Sequence, residues 1–165
     1  MASFKIIGGK ELEGTVNPQG AKNEALQIIS AIILTKEKVI IRNIPLIIDV
    51  ICLIELLKGI GVEIQKIHKH TYSFEASDLN LDYLKSVDFK TKSQKIRGSV
   101  MILGPLLARF KKARLYPPGG DKIGRRRLDT HLVGLSELGA KFKLINNEFY
   151  KLDGQNLKSN NILLE

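Results

Sequence analysis

The stretch PPGGDKIGRRRLDTH, Pro117 to His131, concentrates residue types that bind anions. Gly119 and Gly120 let the backbone take left-handed or close-approach conformations, and Arg125, Arg126 and Arg127 supply forked donors suited to phosphate or carboxylate. The segment has neither helical nor strand periodicity and runs directly into an amphipathic pattern, as an anion-binding loop ahead of a helix would. Asp121 is the odd member: it is either the structural counter-ion of the arginines or a group placed to move a proton.

A second basic position lies far upstream. NPQGAKN opens a helix over Glu24 to about Leu34, so Lys22 and Asn23 sit at a helix N-terminus, where free amides and the helix dipole favour an anion. The alternative is that Asn23 caps the helix and Lys22 is solvated. Arg97 stands at the start of a second helical pattern, Gln94 to Phe110, as Lys22 does at the first, and Pro105 implies a kink or break in it. His68 and His70 alternate at a hairpin without a third ligand nearby, which reads as an exposed turn rather than a metal site. Cys52 falls in the apolar pattern DVICLIELL and reads as core packing.

The elements that must hold these groups follow from periodicity and punctuation. Ser3 to Gly8 and Leu12 to Val16 read as a hairpin, Lys38 to Arg42 as a strand, Asp49 to Lys58 as a helix, and Val62 to Ile67 with Tyr72 to Ala76 as a second hairpin. A polar connection from Ser77 to Ser93 holds a helical turn or two. Then come a strand at Ala113 to Tyr116, a helix at Leu128 to Leu138, a hairpin of Lys141 to Ile145 and Phe149 to Leu152 around Asn146 and Asn147, and a last strand at Asn161 to Leu164. LQIISAIILTKEKVIIRNIP followed by DVICLIELLKGIGVEI repeats as VMILGPLLARFKKARLYPPG followed by LDTHLVGLSELGAKFKL: helix, basic linker, strand, loop, helix, glycine, strand. The second copy carries GGDKIGRR as an insertion, so the arginine loop is grafted onto a structural repeat. The fold class is α/β.

Composition narrows the partners. The chain has 165 residues, 44% apolar and 26% charged, which suits a domain with a real core and argues against disorder. No apolar run approaches the roughly 20 residues that cross a bilayer, and residues 1–20 do not read as a signal peptide, so the expected compartment is the cytoplasm. A net charge of +9 implies a polyanionic partner. Aromatics are only 6% and the cations are spread out apart from one glycine loop. Both features favour a small phosphorylated ligand over nucleic acid or a membrane.

GAKN before a helix, IPLIIDV, KIRGSVMILGPLLARF and PPGGDKIGRRRLDTHLVGLSELGA occur in an order that resembles the UDP-N-acetylglucosamine 1-carboxyvinyltransferases, a family of enolpyruvyl transferases, over essentially the whole chain. The resemblance implies an inverted α/β barrel of repeated βαβαββ-type units, helices enclosed by sheet, with two of the three repeats of one domain present at about residues 20–76 and 94–152. It implies that residues 1–19 form a hairpin belonging to a second domain and that 20–165 form a partial first domain. The implied reaction transfers the enolpyruvyl group of phosphoenolpyruvate to the 3-hydroxyl of UDP-N-acetylglucosamine with release of phosphate, the first committed step of peptidoglycan synthesis, with no metal and no organic cofactor.

By that resemblance Lys22 and Asn23 contact phosphoenolpyruvate, Arg97 contacts the UDP-sugar, and Arg126, Arg127, Leu128, Asp129 and Thr130 fall on the segment that holds the UDP-sugar, Arg126 also lying near phosphoenolpyruvate. Asp121 falls where the family commonly has a cysteine that acts as proton donor to the methylene carbon. A carboxylate there implies resistance to fosfomycin, which alkylates that cysteine. Arg127 stands where proline is expected. The family's Lys and Ser-Val-Gly segment after this point, and its second domain with a catalytic aspartate, have no counterpart in the 165 residues, which are expected to be nearly inactive alone. Rival readings are a phosphoenolpyruvate-dependent transferase with another acceptor, a ligand-binding fragment without catalysis, and a nucleic-acid-binding module.

Overall fold

The computed structural model describes residues 3–120 and 127–163. Two copies of one unit run through them. The first comprises α1 (Lys22–Ala31) with a 3-10 turn at Ile32–Leu34, β1 (Val39–Ile41), α2 (Ile48–Ile60), β2 (Glu63–His68) and β3 (Thr71–Glu75). A 3-10 turn at Leu81–Lys85 and α3 (Val87–Ser93) connect it to the second. That copy comprises a 3-10 turn at Arg97–Ile102, α4 (Leu103–Phe110), β4 (Lys112–Leu115), α5 (Asp129–Glu137), β5 (Lys141–Ile145) and β6 (Phe149–Asp153).

The sheets repeat as closely as the sequence blocks. Each has three antiparallel strands with the last strand of its unit in the middle, in the orders β1-β3-β2 and β4-β6-β5. Ser73 faces Ile40 and Gln65 across the first sheet; Lys151 faces Arg114 and Lys143 across the second. Gly61 and Gly139 follow the second helix of each unit at φ 106° and 95°, a left-handed conformation in which an L side chain is strained. Asn146 and Asn147, both at positive φ, make the tight β5–β6 turn that the Asn-Asn pair predicts.

Helices meet helices in the interior, and each sheet presses one face on them. Ile29, Ile33, Leu53, Leu56, Leu57 and Ile60 from the first unit and Leu103, Leu106 and Leu107 from the second are almost fully buried. Phe74 in one sheet and Leu152 in the other close the layers. Arg109 ties the two units together: its Nη1 donates to the carbonyls of Ile33, Thr35 and Ala76, and its Nη2 to that of Ser77. A fork of this geometry cannot be reproduced by one ammonium. Arg109→Ala is expected to lower the free energy of unfolding by about 2–4 kcal/mol in urea titrations, and Arg109→Lys to recover less than half of that.

Some expectations change. The helix predicted over Gln94 to Phe110 is divided into the 3-10 turn and α4, and Pro105 sits in the first turn of α4, where its missing N–H costs nothing. Residues 3–21 hold no strand, so the predicted N-terminal hairpin is absent. Phe4, Ile6, Ile7, Leu12 and Val16 stay 80–94% exposed, and a two-stranded hairpin with no surface beneath it is marginal at best. Residues 161–163 form no strand; Leu164 lies outside the described residues. The tail is held instead by Lys158, whose amide donates to the Leu138 carbonyl, and by Asn160, whose Nδ2 donates to that of Glu137. His70 is half-buried rather than exposed, and its Nδ1 lies 2.9 Å from the Ile44 carbonyl oxygen, a tether between the β2–β3 turn and the loop before α2. Cys52 is half-buried and packs against the core.

Candidate functional site

A cleft of about 670 Å³ opens where the two units meet. That is room for a ligand of nucleotide size. Its walls are built from the beginnings of elements: Lys22, Asn23, Leu26 and Gln27 from α1, Ile48 and Asp49 from α2, and Arg97, Gly98, Val100 and Met101 from the 3-10 turn. Lys95 stands just before that turn, while Gly120 and His131 come from either side of the arginine loop. Such starts present unpaired amides and the positive ends of backbone dipoles to the space between them.

The sequence explains why these beginnings converge. The apolar stripe of α1 buries Ala25, Leu26 and Ile29, which fixes Lys22 and Asn23 at the rim of the interior. Leu26 packs on Gly98, which has no side chain to hold the 3-10 turn away. The start of the arginine loop is pinned in the same manner. A Cβ on Gly119 would lie 1.7 Å from the Gln94 carbonyl oxygen, so only glycine lets the loop pass against the turn that leads from α3 to Arg97.

Asn23 is not the cap, and Lys22, though partly solvated, is paired. Ala21 occupies the capping position and no side chain caps the helix; Asn23 is the second helical residue, exposed toward the cleft. Lys22 Nζ donates to Asp49 Oδ2 at 2.9 Å, with both side chains about 40% exposed. Asp49 lies in the first turn of α2, where the dipole favours a carboxylate.

Arg97 Nη2 donates to the Arg127 carbonyl at 2.9 Å, so the arginine that opens the second unit grips the far end of the loop. Arg127 in turn pairs through Nε with Asp129. Leu128, half-buried, precedes α5, and Asp129 and Thr130 open that helix on its exposed side. Of the residues predicted for the site, Lys22, Asn23 and Arg97 line the cleft itself, and Arg127, Leu128, Asp129 and Thr130 stand beside it on the segment running from the loop into α5. Asp121 and Arg126 lie outside the described residues.

Sequence reasoning passed over Asp49, Lys95 and His131 as site residues. Asp49 carries a signal, an acidic residue in the first turn of the helix after NIP, but nothing local shows that its helix begins beside Lys22. The described lining thus holds three permanent cations, Lys22, Lys95 and Arg97, against one carboxylate, with Asn23, Gln27 and His131 as further polar partners. It can take up an anion carrying more than one charge and orient it along two helix starts.

Residues 6–165 match the sequence model of the family described as EPSP synthase (3-phosphoshikimate 1-carboxyvinyltransferase). The chain is 51% identical over 166 aligned residues to proteins named UDP-N-acetylglucosamine 1-carboxyvinyltransferase from Bacteroides fragilis and Porphyromonas gingivalis, covering 100% of this chain and 38% of each relative. A protein of that name from Treponema denticola is 42% identical over 147 residues, covering 89% of this chain and 34% of its own. The crystal structure of the enolpyruvyl transferase NikO from Streptomyces tendae has the same fold, with a TM-score of 0.66 over 91% of this chain and 32% of that one at 24% identity. The chain therefore spans about 38% of the length of the Bacteroides and Porphyromonas relatives.

Proposed function

The chain belongs to the family of enolpyruvyl transferases described as EPSP synthase, and from that premise we propose that it forms one wall of an active site that transfers the enolpyruvyl group of phosphoenolpyruvate to the 3-hydroxyl of UDP-N-acetylglucosamine, releasing phosphate. The observation that carries this reading is the cleft at the junction of the units. It gathers Lys22, Asn23 and Arg97, which the sequence resemblance assigns to the two substrates, from helix starts far apart in the chain, with Gly120 on its lining and Arg127 bound to Arg97. The choice of a uridine-linked sugar over a shikimate-like acceptor rests on the relatives 51% identical over the whole chain.

In this reading Lys22 and Arg126 offset the phosphate and carboxylate of phosphoenolpyruvate, and Asn23 donates to it. Arg97 and the segment Arg126 to Thr130 hold the UDP-sugar, and Asp121 delivers a proton to the methylene carbon as the sugar hydroxyl adds to C2. Loss of phosphate from the resulting tetrahedral adduct regenerates the enol ether. The base for the sugar hydroxyl belongs to a second domain of the longer protein, and residues 1–19, in which Phe4, Ile6, Ile7, Leu12 and Val16 stay exposed, pair with that domain. The product places the reaction at the entry to peptidoglycan synthesis. Among the described residues no helix is long and apolar enough to cross a membrane.

The test is phosphate release from phosphoenolpyruvate in the presence of UDP-N-acetylglucosamine, for this chain and for the full gene product, together with calorimetric titration of each with UDP-N-acetylglucosamine. Turnover in the full product alone, with measurable binding by the shorter chain, is the expected result. Absence of both turnover and UDP-sugar binding in the full product overturns the proposal, and turnover only with a different acceptor replaces the sugar assignment.

A further inference from the structure

The outer face of the second sheet is more basic than the fold requires. The repeat supplies the comparison. In the first sheet the two outward rows read Lys38, Glu75, Glu63 and Ile40, Ser73, Gln65: one cation against two carboxylates, with Lys38 paired to Glu75 at 3.8 Å. In the second sheet the same rows read Lys112, Asp153, Lys141 and Arg114, Lys151, Lys143: five cations against one carboxylate. Arg114, Lys151 and Lys143 stand directly opposite one another across three strands, an arrangement of like charges that opposes sheet formation. The first unit folds in the same register without them.

The four lysines of this face are exposed, and none forms an ion pair among the described residues. Arg114 lies over the Phe149 ring, 4.0 Å from its centroid, and its Nη1 donates to the Tyr116 hydroxyl, so its charge is fixed at the surface while the ring is covered. Strand spacing of about 4.8 Å and a two-residue repeat of about 7 Å spread the five cations over an area of roughly 10 by 7 Å. This face lies on the opposite side of the sheet from Ala113, Leu115 and Leu152, which point into the core, so it is separate from the helix starts that build the cleft.

We propose that this face docks the protein on an anionic lipid surface. The uncompensated charge and the lack of an exposed ring choose that occupant. The aromatics of the face, Tyr116 and Phe149, are both buried, Phe149 beneath Arg114, which leaves no ring on which the bases of a single strand could stack. A bilayer rich in anionic headgroups matches the exposed, flexible lysines, whose attraction to it is screened by salt. The contact is peripheral and reversible, because the apolar groups of the face are withdrawn from the surface: Tyr116 and Phe149 are buried and Ile145 is half-buried.

Sedimentation of the chain with vesicles of about 30% phosphatidylglycerol in phosphatidylcholine tests this. Binding is expected at about 50 mM salt, lost at about 300 mM, and absent with pure phosphatidylcholine. Lys143→Gln with Lys151→Ser installs the residues that the first sheet carries at the same positions and is expected to weaken vesicle binding by about tenfold or more. Lys141→Glu, which copies Glu63 of the first sheet, gives a second variant in case the double change perturbs folding. Lys58→Gln with Lys85→Gln removes the same charge from other elements and is expected to leave binding within about twofold. No sedimentation with anionic vesicles at low salt, equal weakening by the control pair, or displacement of the vesicles by a short DNA duplex at stoichiometric amounts would each overturn the proposal.

Discussion

Lys22→Ala in the full gene product is expected to reduce turnover about a thousandfold, roughly 4 kcal/mol of transition-state stabilisation, while leaving thermal stability nearly unchanged. The contrast follows from the geometry. The Lys22–Asp49 pair has both side chains about 40% exposed, and an ion pair so solvated contributes at most about 1 kcal/mol to folding. The same ammonium faces a cleft whose other described cations are Lys95 and Arg97, so removing it strips a large part of the charge that meets the substrate phosphate. Binding of phosphoenolpyruvate to the chain should weaken about tenfold to a hundredfold, the worth of one charge-assisted hydrogen bond.

Asp49 gives this prediction a second arm. Its carboxylate holds Lys22 beside the cleft and also competes with an incoming anion for the same ammonium. Asp49→Asn is therefore expected to bind phosphoenolpyruvate more tightly yet turn over more slowly, because the freed lysine is attracted to the anion but no longer positioned. In a double-mutant cycle, Asp49→Asn should have almost no effect once Lys22 is alanine. Full additivity of the two substitutions would show that Asp49 does not act through Lys22.

The repeat was legible in the sequence because both units reuse one apolar pattern, with Gly61 and Gly139 closing the second helix at the same point. Lys22, Asn23 and Arg97 were legible because each stands where a polar segment turns into an apolar stripe. What the residues could not show by themselves was the meeting of those positions, which depends on how Leu26 packs on Gly98 and how Gly119 lies against Gln94. Contacts between residues so far apart in the chain leave no local trace. Asp49 escaped notice for the same reason. The N-terminal hairpin failed for a different one: the apolar alternation of Phe4, Ile6 and Leu12 reports what those residues prefer, whereas a strand also needs a neighbour to pair with.

Asp121 is where the largest chemical effect is expected. Asp121→Asn should lower turnover about a hundredfold to ten-thousandfold with phosphoenolpyruvate binding changed by no more than about threefold, the pattern of a lost proton donor. A free aspartate has a pKa of about 3.9, so serving as a donor near pH 7 demands a rise of roughly 3 units, or about 4 kcal/mol. Arg125, Arg126 and Arg127, close in sequence, favour the charged form and act against that rise. We propose that bound phosphoenolpyruvate reverses the balance: its phosphate and carboxylate offset the arginines, and Asp121 takes up its proton only in the complex. A donor must be protonated, so turnover at saturating substrate should fall as pH rises through the raised pKa of the complex. Asp121→Cys should move that alkaline limb upward, because a thiol keeps its proton to about pH 8.5. The same cysteine should confer time-dependent inactivation by fosfomycin, since a thiolate opens the epoxide far faster than a carboxylate does, whereas the natural protein should lose no activity on prolonged incubation. Normal turnover by Asp121→Asn would remove Asp121 from the chemistry altogether. Inactivation of the natural protein by fosfomycin that disappears in Asp121→Ala would show instead that the carboxylate is itself the alkylated nucleophile.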